Sequence, residues 1–484
     1  MTSNEPDTMS VEISRDNCMN PLKTAAVAIM ISASINMARP AEFMAGAAAI
    51  DITPPLGLPL AGYYHERGAD GVLDPLFARA LVIQSGSDRI ALVALDLIEI
   101  HRAVTDRARR RIEQATGIKA DHVLISATHT HTGPVLATAG AYGEAFGGLK
   151  PAAVEYTDRL PELIEKAVKE ANARVQQVSL SAARGKCEGL AFNRRYFMRD
   201  GTVGWNPGKL NPNIVMPAGP TDPDVCVLCV DPPNSNIPAK CIASYVNFAM
   251  HTDTTGGTRY SADWPGALDR TLAGWRGTNH ITLVGNGTCG NINHVDFDWA
   301  CPQSGPGEQN RIATVLGAAI LQACKCLRPV PTGPVRGRSR FAELPVQAAT
   351  QEEIDEARAI LAATKTDQGG NFMKLVKAQR IIEVARCETG QIRAEVQVLA
   401  IGRDLAWLGL PGEVFVELGL AIKKRSPFPM TFVVELANDN IGYVPDRRSY
   451  AEGNYEPVSS RCAPGSGEML VEAAVHLLDE IFRN

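Results

Sequence analysis

Residues 129–134 read HisThrHisThrGlyPro. The run before them, His122 to Ala127, is short and mostly apolar, which predicts a buried strand ending at the histidines. In an extended chain residues i and i+2 point to one face, so His129 and His131 are expected to present two imidazoles side by side. Such a pair suits a metal ion, or one metal ligand beside one catalytic base. It also suits a plainer role, two polar strand-end residues bonded to backbone. The chain has only nine histidines, and His251 occupies a similar position. It ends the run SerTyrValAsnPheAlaMet and precedes a Gly-containing loop. Leu410-Pro411-Gly412-Glu413 places a carboxylate directly after another apolar run, in what reads as the first turn of a helix. A helix dipole alone would favour an acid there. Gly442-Tyr443-Val444-Pro445 follows a further strand-like run. Two histidines, a glutamate and one more oxygen donor would complete a tetrahedral N/O site of the zinc type.

The elements that must position these residues alternate between strand and helix from Gly46 onward, without a linker. Strand-like runs fall at 47–52, 78–84, 90–98, 178–183, 225–230, 242–248, 281–284, 394–401, 405–410 and 432–436. Helical patterns fall at 101–115, 155–173, 262–275, 307–327 and 467–483, with Pro161 expected at a turn or kink. Residues 352–386 form a mostly helical excursion broken at Gly369-Gly370, and Gly412 is read as opening another helix. No fixed-period repeat is evident. The pattern predicts an α/β protein, a mixed sheet core surrounded by helices in one large domain over 44–484.

The length of 484 residues, 45% hydrophobic and 21% charged, is ample for a sizeable core. A net charge of −5 argues against nucleic acid as a partner. The basic run Asp106 to Arg111 lies on a helical stretch and reads as a solvated face. Residues 1–43 read as a leader. Lys23 precedes a small, apolar run from Thr24 to Ile35, with Ala33 or Ala38 at a possible cleavage point, as in a secretory signal peptide. A periplasmic or secreted location follows if that segment is a signal peptide, and a cytoplasmic one otherwise. The run is too short for a stable membrane span. Of the 11 cysteines, Cys226 and Cys229 sit three apart on a strand, facing opposite sides, and read as core residues rather than a zinc knuckle.

Several ordered motifs resemble the neutral/alkaline (non-lysosomal) ceramidase family. They are AspIleThrProPro at 51–55, AspProLeuPheAlaArgAlaLeuVal at 74–82, ThrHisThrHisThrGlyPro at 128–134 and AsnArgArg at 193–195. His251 with SerAlaAspTrpProGly at 261–266, ProGlyGlu at 411–413 and GlyTyrValPro at 442–445 complete the set. The resemblance runs from about Gly46 to Ile481 and covers that family's catalytic domain only. It implies a Zn2+ ion held by His129, His251, Glu413 and Tyr443. It also implies His131 as a base beside the metal, with Arg194 and Tyr455 facing the substrate carbonyl. The sequence departs from the family at Asn440, where ceramidases carry an additional tyrosine, and in GlyAsnIleAsnHis at 290–294.

The chemistry implied is amide hydrolysis of a small-molecule N-acyl amide, with a lipid among the candidates. Zinc acidifies water and polarises a carbonyl, His131 moves the proton, and Arg194 with Tyr455 stabilises the oxyanion. Asp96 and Asp263 are candidates to orient a histidine. An esterase or lactonase using the same site is the first alternative, and a non-catalytic lipid- or carbohydrate-binding homologue the second. An amidohydrolase barrel also uses HisxHis, but at the end of its first strand and with a late aspartate, whereas here several strands precede the pair and the late acid is Glu413 after Pro-Gly.

Overall fold

Three large sheets, each with four main strands in chain order, frame the described residues, alongside several sheets of two or three short strands. A computed structural model describes residues 42–138, 140, 143, 145–233, 241–364 and 370–484. The first sheet is built from β1 (Phe43–Asp51), β2 (Phe77–Ser85), β3 (Asp88–Leu95) and β4 (Val123–Ala127). The second contains β5 (Ser179–Lys186), β6 (Asp224–Asp231), β7 (Ala243–Phe248) and β8 (Ile281–Asn286). The third contains β9 (Val335–Pro345), β10 (Gln391–Ile401), β11 (Leu405–Gly409) and β12 (Met430–Val434). In each of the three large sheets the first three strands pair antiparallel, and the fourth joins the third in parallel.

A parallel pair cannot be closed by a tight turn, so a crossover helix is required. The helices are α1 (Arg102–Thr116), α3 (Asp263–Arg276) and α7 (Val416–Arg425), one per sheet. A second helix follows each fourth strand: α2 (Pro151–Ala173), α4 (Pro306–Cys324) and α8 (Ser466–Arg483). The chain is thus three βββαβα units in succession. The second unit carries an insertion of short strands at 192–217 between β5 and β6, and the third carries the helices α5 (Gln351–Ala363) and α6 (Phe372–Ala385) between β9 and β10.

Side-chain alternation along the strands sorts the core into layers. Leu81, Leu92, Leu228, Tyr245, Leu283, Leu399, Trp407 and Phe432 point inward, where the three sheets meet in one cluster. The Trp407 and Phe432 rings stack at 5.0 Å, with Tyr245 edge-on to both. The opposite faces are covered by helices: Val82, Val93 and Ile125 by α1 and α2, Val227 and Val246 by α3 and α4, and Val398 and Leu408 by α7 and α8. Strands buried on both faces read as continuous apolar runs, which is what the sequence shows.

Several expectations change. Pro161 lies inside the continuous helix α2 and does not end it. Glu413 and Val414 are extended, paired in parallel with Tyr443 and Val444, and α7 begins only at Val416. The basic run on α1 is largely paired: Arg109 is buried on Glu395 at 3.0 Å, and Arg107 and Arg111 reach Asp158 and Glu165 on α2. Cys226 faces the inner cluster and Cys229 the outer one, as expected, and the ten described cysteines are free. Apart from Glu42 and Phe43, the segment read as a leader lies outside the described residues. No described helix is long and apolar enough to cross a membrane.

His280, ahead of β8, is a buried histidine far in sequence from the motifs. Burial pushes its imidazole down to about 4, and Nε2 has no hydrogen-bond partner. A depressed histidine stabilises the fold fully above its unfolded value of 6.5 and loses that contribution as pH falls. Between pH 6.5 and 4 the loss is about 3 kcal/mol for this residue. Urea unfolding across this range should show a shallower acid destabilisation in His280→Gln than in the wild type. An identical slope would remove His280 from the account.

Candidate metal centre

The site lies beyond the ends of the parallel strand pairs, where residues from all three units converge. His129 follows β4, His251 follows β7 and Glu413 follows β11. This is the edge at which open α/β sheets commonly hold ligands. The segments around His129 and His251 run side by side. Thr130 bridges Thr252 in parallel, His131 N–H donates to Thr252 O at 3.1 Å, and Thr252 Oγ1 donates to Thr128 O.

The strand does not continue through the histidine pair as expected. It ends at Ala127, and His129 has φ 69°, a left-handed conformation uncommon for a residue with a side chain. Its N–H donates to Leu97 O at 2.9 Å, which helps hold the turn. The two rings nonetheless meet, with His131 Nε2 at 3.4 Å from His129 Nε2.

Every imidazole is anchored through Nδ1 to a carbonyl. His129 bonds Ile98 O at 2.9 Å, His131 bonds Gly62 O at 3.1 Å, and His251 bonds Cys289 O at 2.9 Å. A carbonyl only accepts, so each Nδ1 carries the proton and each Nε2 is left with a lone pair. Those lone pairs face one another. His129 Nε2 is 3.1 Å from His251 Nε2, and Glu413 Oε2 is 3.3 Å from both. Glu413 Oε2 is buried and has no hydrogen-bond partner. Three clustered acceptor nitrogens, two on buried rings and one on the half-buried His131, with an orphaned carboxylate oxygen, are a poor arrangement for protein alone and a good one around a cation. The donor atoms of His129, His131 and His251 all lie within 4.8 Å of one another, close enough to hold a metal ion.

The electrostatics agree. Burial alone would raise the Glu413 carboxyl, but the His129 and His251 rings hold it well below the usual range. Burial would lower His129, and Glu413 outweighs it and raises the ring. Burial pushes His131 down to about 4, and burial with the Arg194 charge pushes His251 down to about 3. The pocket thus favours one positive charge at the focus of otherwise neutral rings.

Two glycines make the close approaches possible. Gly62 has φ 99°, and a Cβ there would lie 2.6 Å from His131 Nδ1. Gly412 has φ 80° and would drive a Cβ to 2.4 Å from Gly442 O, breaking the pairing that sets Glu413 beside Tyr443.

The other expected residues are brought to the same place. Arg194 is buried, donates to Tyr443 Oη at 3.0 Å and lies 3.2 Å from His251 Nε2. It is fixed by Glu456 at 2.8 Å and Gly290 O at 2.7 Å, and Glu456 also binds Arg195. Tyr443 is pushed well above its ordinary pKa by burial and by Glu413. Tyr455 packs on Trp205 at 4.4 Å and edge-on to Tyr443 at 5.4 Å. Asn440 turns away from the donors, with Nδ2 bonded to Glu99 and Oδ1 accepting from Gly442 N–H. Neither candidate aspartate orients a ligand histidine. Asp96 is buried on Arg79 at 2.5 Å, and Asp263 caps the loop after His251 through Thr254 N–H and Thr255 N–H.

Sequence reasoning missed Asp253, Tyr63 and Glu435. Tyr63 Oη donates to Asp253 Oδ1 at 2.7 Å, which stands 3.9 Å from His131 Nδ1. The signal was present, because His251-x-Asp253 repeats the spacing of His129-x-His131. Glu435 accepts from Cys289 Sγ at 2.9 Å and Val414 N–H at 2.8 Å, behind Glu413, and burial pushes its carboxyl up to about 8.

Residues 43–198 match the family described as neutral/alkaline non-lysosomal ceramidase, N-terminal. The fold is similar to a crystal structure of neutral ceramidase from Pseudomonas aeruginosa. The TM-score is 0.70 at 20% identity, over 91% of this chain and 75% of that one. A ceramidase complexed with C2 is similar at a TM-score of 0.66 and 19% identity, over 91% and 76% of the two chains. The resemblance read from the motifs is borne out by the family model over residues 43–198, and the expected α/β fold by the two structures.

Purified protein should contain about one divalent metal per chain, and His251→Ala should lose it. His131→Ala should keep it. Metal analysis of the three proteins checks this, and stoichiometric metal in His251→Ala would refute the ligand assignment.

Proposed function

We propose that this chain, which carries the N-terminal sequence and the fold of the neutral ceramidases, is a zinc-dependent hydrolase of N-acyl amides. The observation that carries the reading is the meeting of three Nε2 lone pairs and an unpartnered Glu413 oxygen at the wall of a cavity of about 510 Å3. His129, His251, Glu413 and Tyr443 would hold the ion, an N/O set of the kind zinc takes. Bound there, zinc supplies Lewis acidity toward a carbonyl oxygen and lowers the pKa of water.

The chain's own residues supply the rest. His131, neutral because burial lowers its pKa, takes a proton from the attacking water at Nε2. The water oxygen adds to the acyl carbon, the C–N bond breaks, and the same proton returns to the departing amine nitrogen. Gly62 O fixes the His131 ring, and the Asp253 carboxylate stabilises the imidazolium as it forms. Arg194, held rigid by Glu456, and Tyr455, kept protonated by burial, are aimed to donate to the oxyanion. The result is a carboxylic acid and an amine, which exchange the remaining proton and leave as carboxylate and ammonium. A secreted or periplasmic setting, through a leader before residue 44, belongs to this reading.

Hydrolysis of a fluorogenic N-acyl amide and its matched ester, with and without chelator, tests the proposal. The expected outcome is chelator-sensitive amide cleavage that zinc restores. His131→Ala should keep its metal and lose about 10²–10⁴ in kcat. Ester cleavage alone would make the protein an esterase or lactonase, and neither activity would leave a binding protein.

A further inference from the structure

Two cavities flank the histidine cluster, and their linings differ in kind. Both share Gly62, Tyr64, His131, Tyr443 and Tyr455, so the reacting group sits between them. One, of about 320 Å3, is walled by Trp205, Phe297 and Phe372, with Phe372 stacked on Trp205 at 5.4 Å. Its charged residues are matched within the protein: Arg194 is bound to Glu456, and Asp253 to Tyr63.

The other, of about 510 Å3, mixes apolar residues such as Ile98, Val376 and Ile441 with a set of charged ones. Its three carboxylates outside the metal centre are all engaged. Glu99 binds His101 at 3.3 Å and Asn440, Asp439 accepts from Arg102 N–H and Asn440 N–H, and Glu383 has partners of its own. Arg102 is paired with Glu395 and Asp106, and Arg393 lies over Phe341 with Glu343 at 3.7 Å. Two guanidiniums in this wall have no carboxylate within ion-pair distance among the described residues. Arg461 donates to the carbonyls of Ile441 and Asn440 and no further. Arg380, on the inserted helix α6, has no hydrogen-bond partner at all among the described residues, and its Nε is buried. Burial lowers its pKa, with only the more distant Glu353 and Tyr450 opposing.

Elsewhere several buried arginines are compensated, Arg79 by Asp96, Arg109 by Glu395, Arg195 by Glu456 and Arg276 by Asp231, whereas half-buried Arg336 is held by the Gly402 carbonyl and Arg89 by Asn172. In a chain of net charge −5, Arg380 and Arg461 thus stand without an ion-paired carboxylate among the described residues, in the wall of the cavity that also holds His129 and His131. The natural complement is an anion brought by the substrate, since a carboxylate takes two parallel bonds from a guanidinium fork.

We propose that the substrate is an N-acyl amino acid, whose apolar acyl group fills the aromatic cavity and whose amine-side carboxylate is bound by Arg380 with Arg461. This rests on the hydrolase reading and narrows it. Water adds to the acyl carbon, the C–N bond breaks, and a fatty or aromatic carboxylate and a free amino acid leave. Neutral amines such as a sphingoid base or ethanolamine leave both guanidiniums unpaired.

The test is a matched pair, N-octanoylglycine and N-octanoylethanolamine, which differ in a carboxylate against a neutral hydroxymethyl group. The glycine conjugate should have the higher kcat/KM by about tenfold or more. That ratio should fall toward one in Arg380→Gln and largely return in Arg380→Lys. A ratio of one or below in the wild type, or a ratio unchanged in Arg380→Gln, overturns the proposal. Calorimetric binding of the ketone isostere of N-octanoylglycine, which has no cleavable C–N bond, separates this outcome from the fate of the hydrolase reading. Binding that depends on Arg380 with no turnover of either amide sinks the hydrolase and keeps the anion site. Binding indifferent to Arg380 sinks the anion site whatever the turnover.

Discussion

Three imidazole nitrogens and a carboxylate oxygen are held with their lone pairs toward one point. Left to itself that arrangement is unfavourable, because the acceptors crowd one another and only His251 Nε2 gains a donor, Arg194 at 3.2 Å. The rest of the structure is arranged to impose it. Each ring is pinned through Nδ1 to a carbonyl of another segment: Ile98, Gly62 or Cys289. Each donor stands on a short connection leaving a strand buried on both faces, so the scaffold moves little beneath it. His129 is one of several non-glycine residues with a left-handed backbone, and two hydrogen-bonded segments fix its conformation from both sides.

The threefold recurrence of the βββαβα unit explains why the donors can meet. Three sheets packed on one inner cluster bring their parallel pairs to a common end, and the connection after each such strand reaches the same region. Units one, two and three then contribute His129 with His131, His251 with Asp253, and Glu413 with Tyr443. Function is divided among connections, while the sheets carry the packing. The insertion in the third unit breaks the symmetry. Its helix α6 closes the site on one side and brings Phe372 to the aromatic cavity and Arg380 to the larger one.

Buried charge follows the same logic of mutual restraint. Glu456 gives one oxygen to Arg194 and the other to Arg195, so the arginine proposed to face the reacting carbonyl is fixed within the protein and not by the substrate. A donor oriented in advance needs no reorganisation when negative charge develops. Tyr63 and Asp253 do the same for His131.

The sequence by itself determined the donors and most of the elements. Apolar runs ending in His129, His251 and Glu413 are local signals, because a strand buried on both faces needs apolar residues throughout and its polar residues collect where it ends. The helices at 102–116, 263–276 and 466–483 were legible for the same reason, a period of 3.6 set by one covered face. Other features depended on partners distant in the chain. Glu413 is extended because residues 443–444 pair with it, overriding the helix signal of the residues that follow. Pro161 is absorbed by a long helix whose packing against α1 and the first sheet outweighs one lost backbone bond. Asp96 went to Arg79 and not to a histidine, since only the fold decides which buried charges meet. The repeated unit left no period in the sequence, because its loops differ in length and packing constrains apolar character more than identity. Which arginines lack a partner is likewise a sum over the whole structure, and no local pattern of residues can state it.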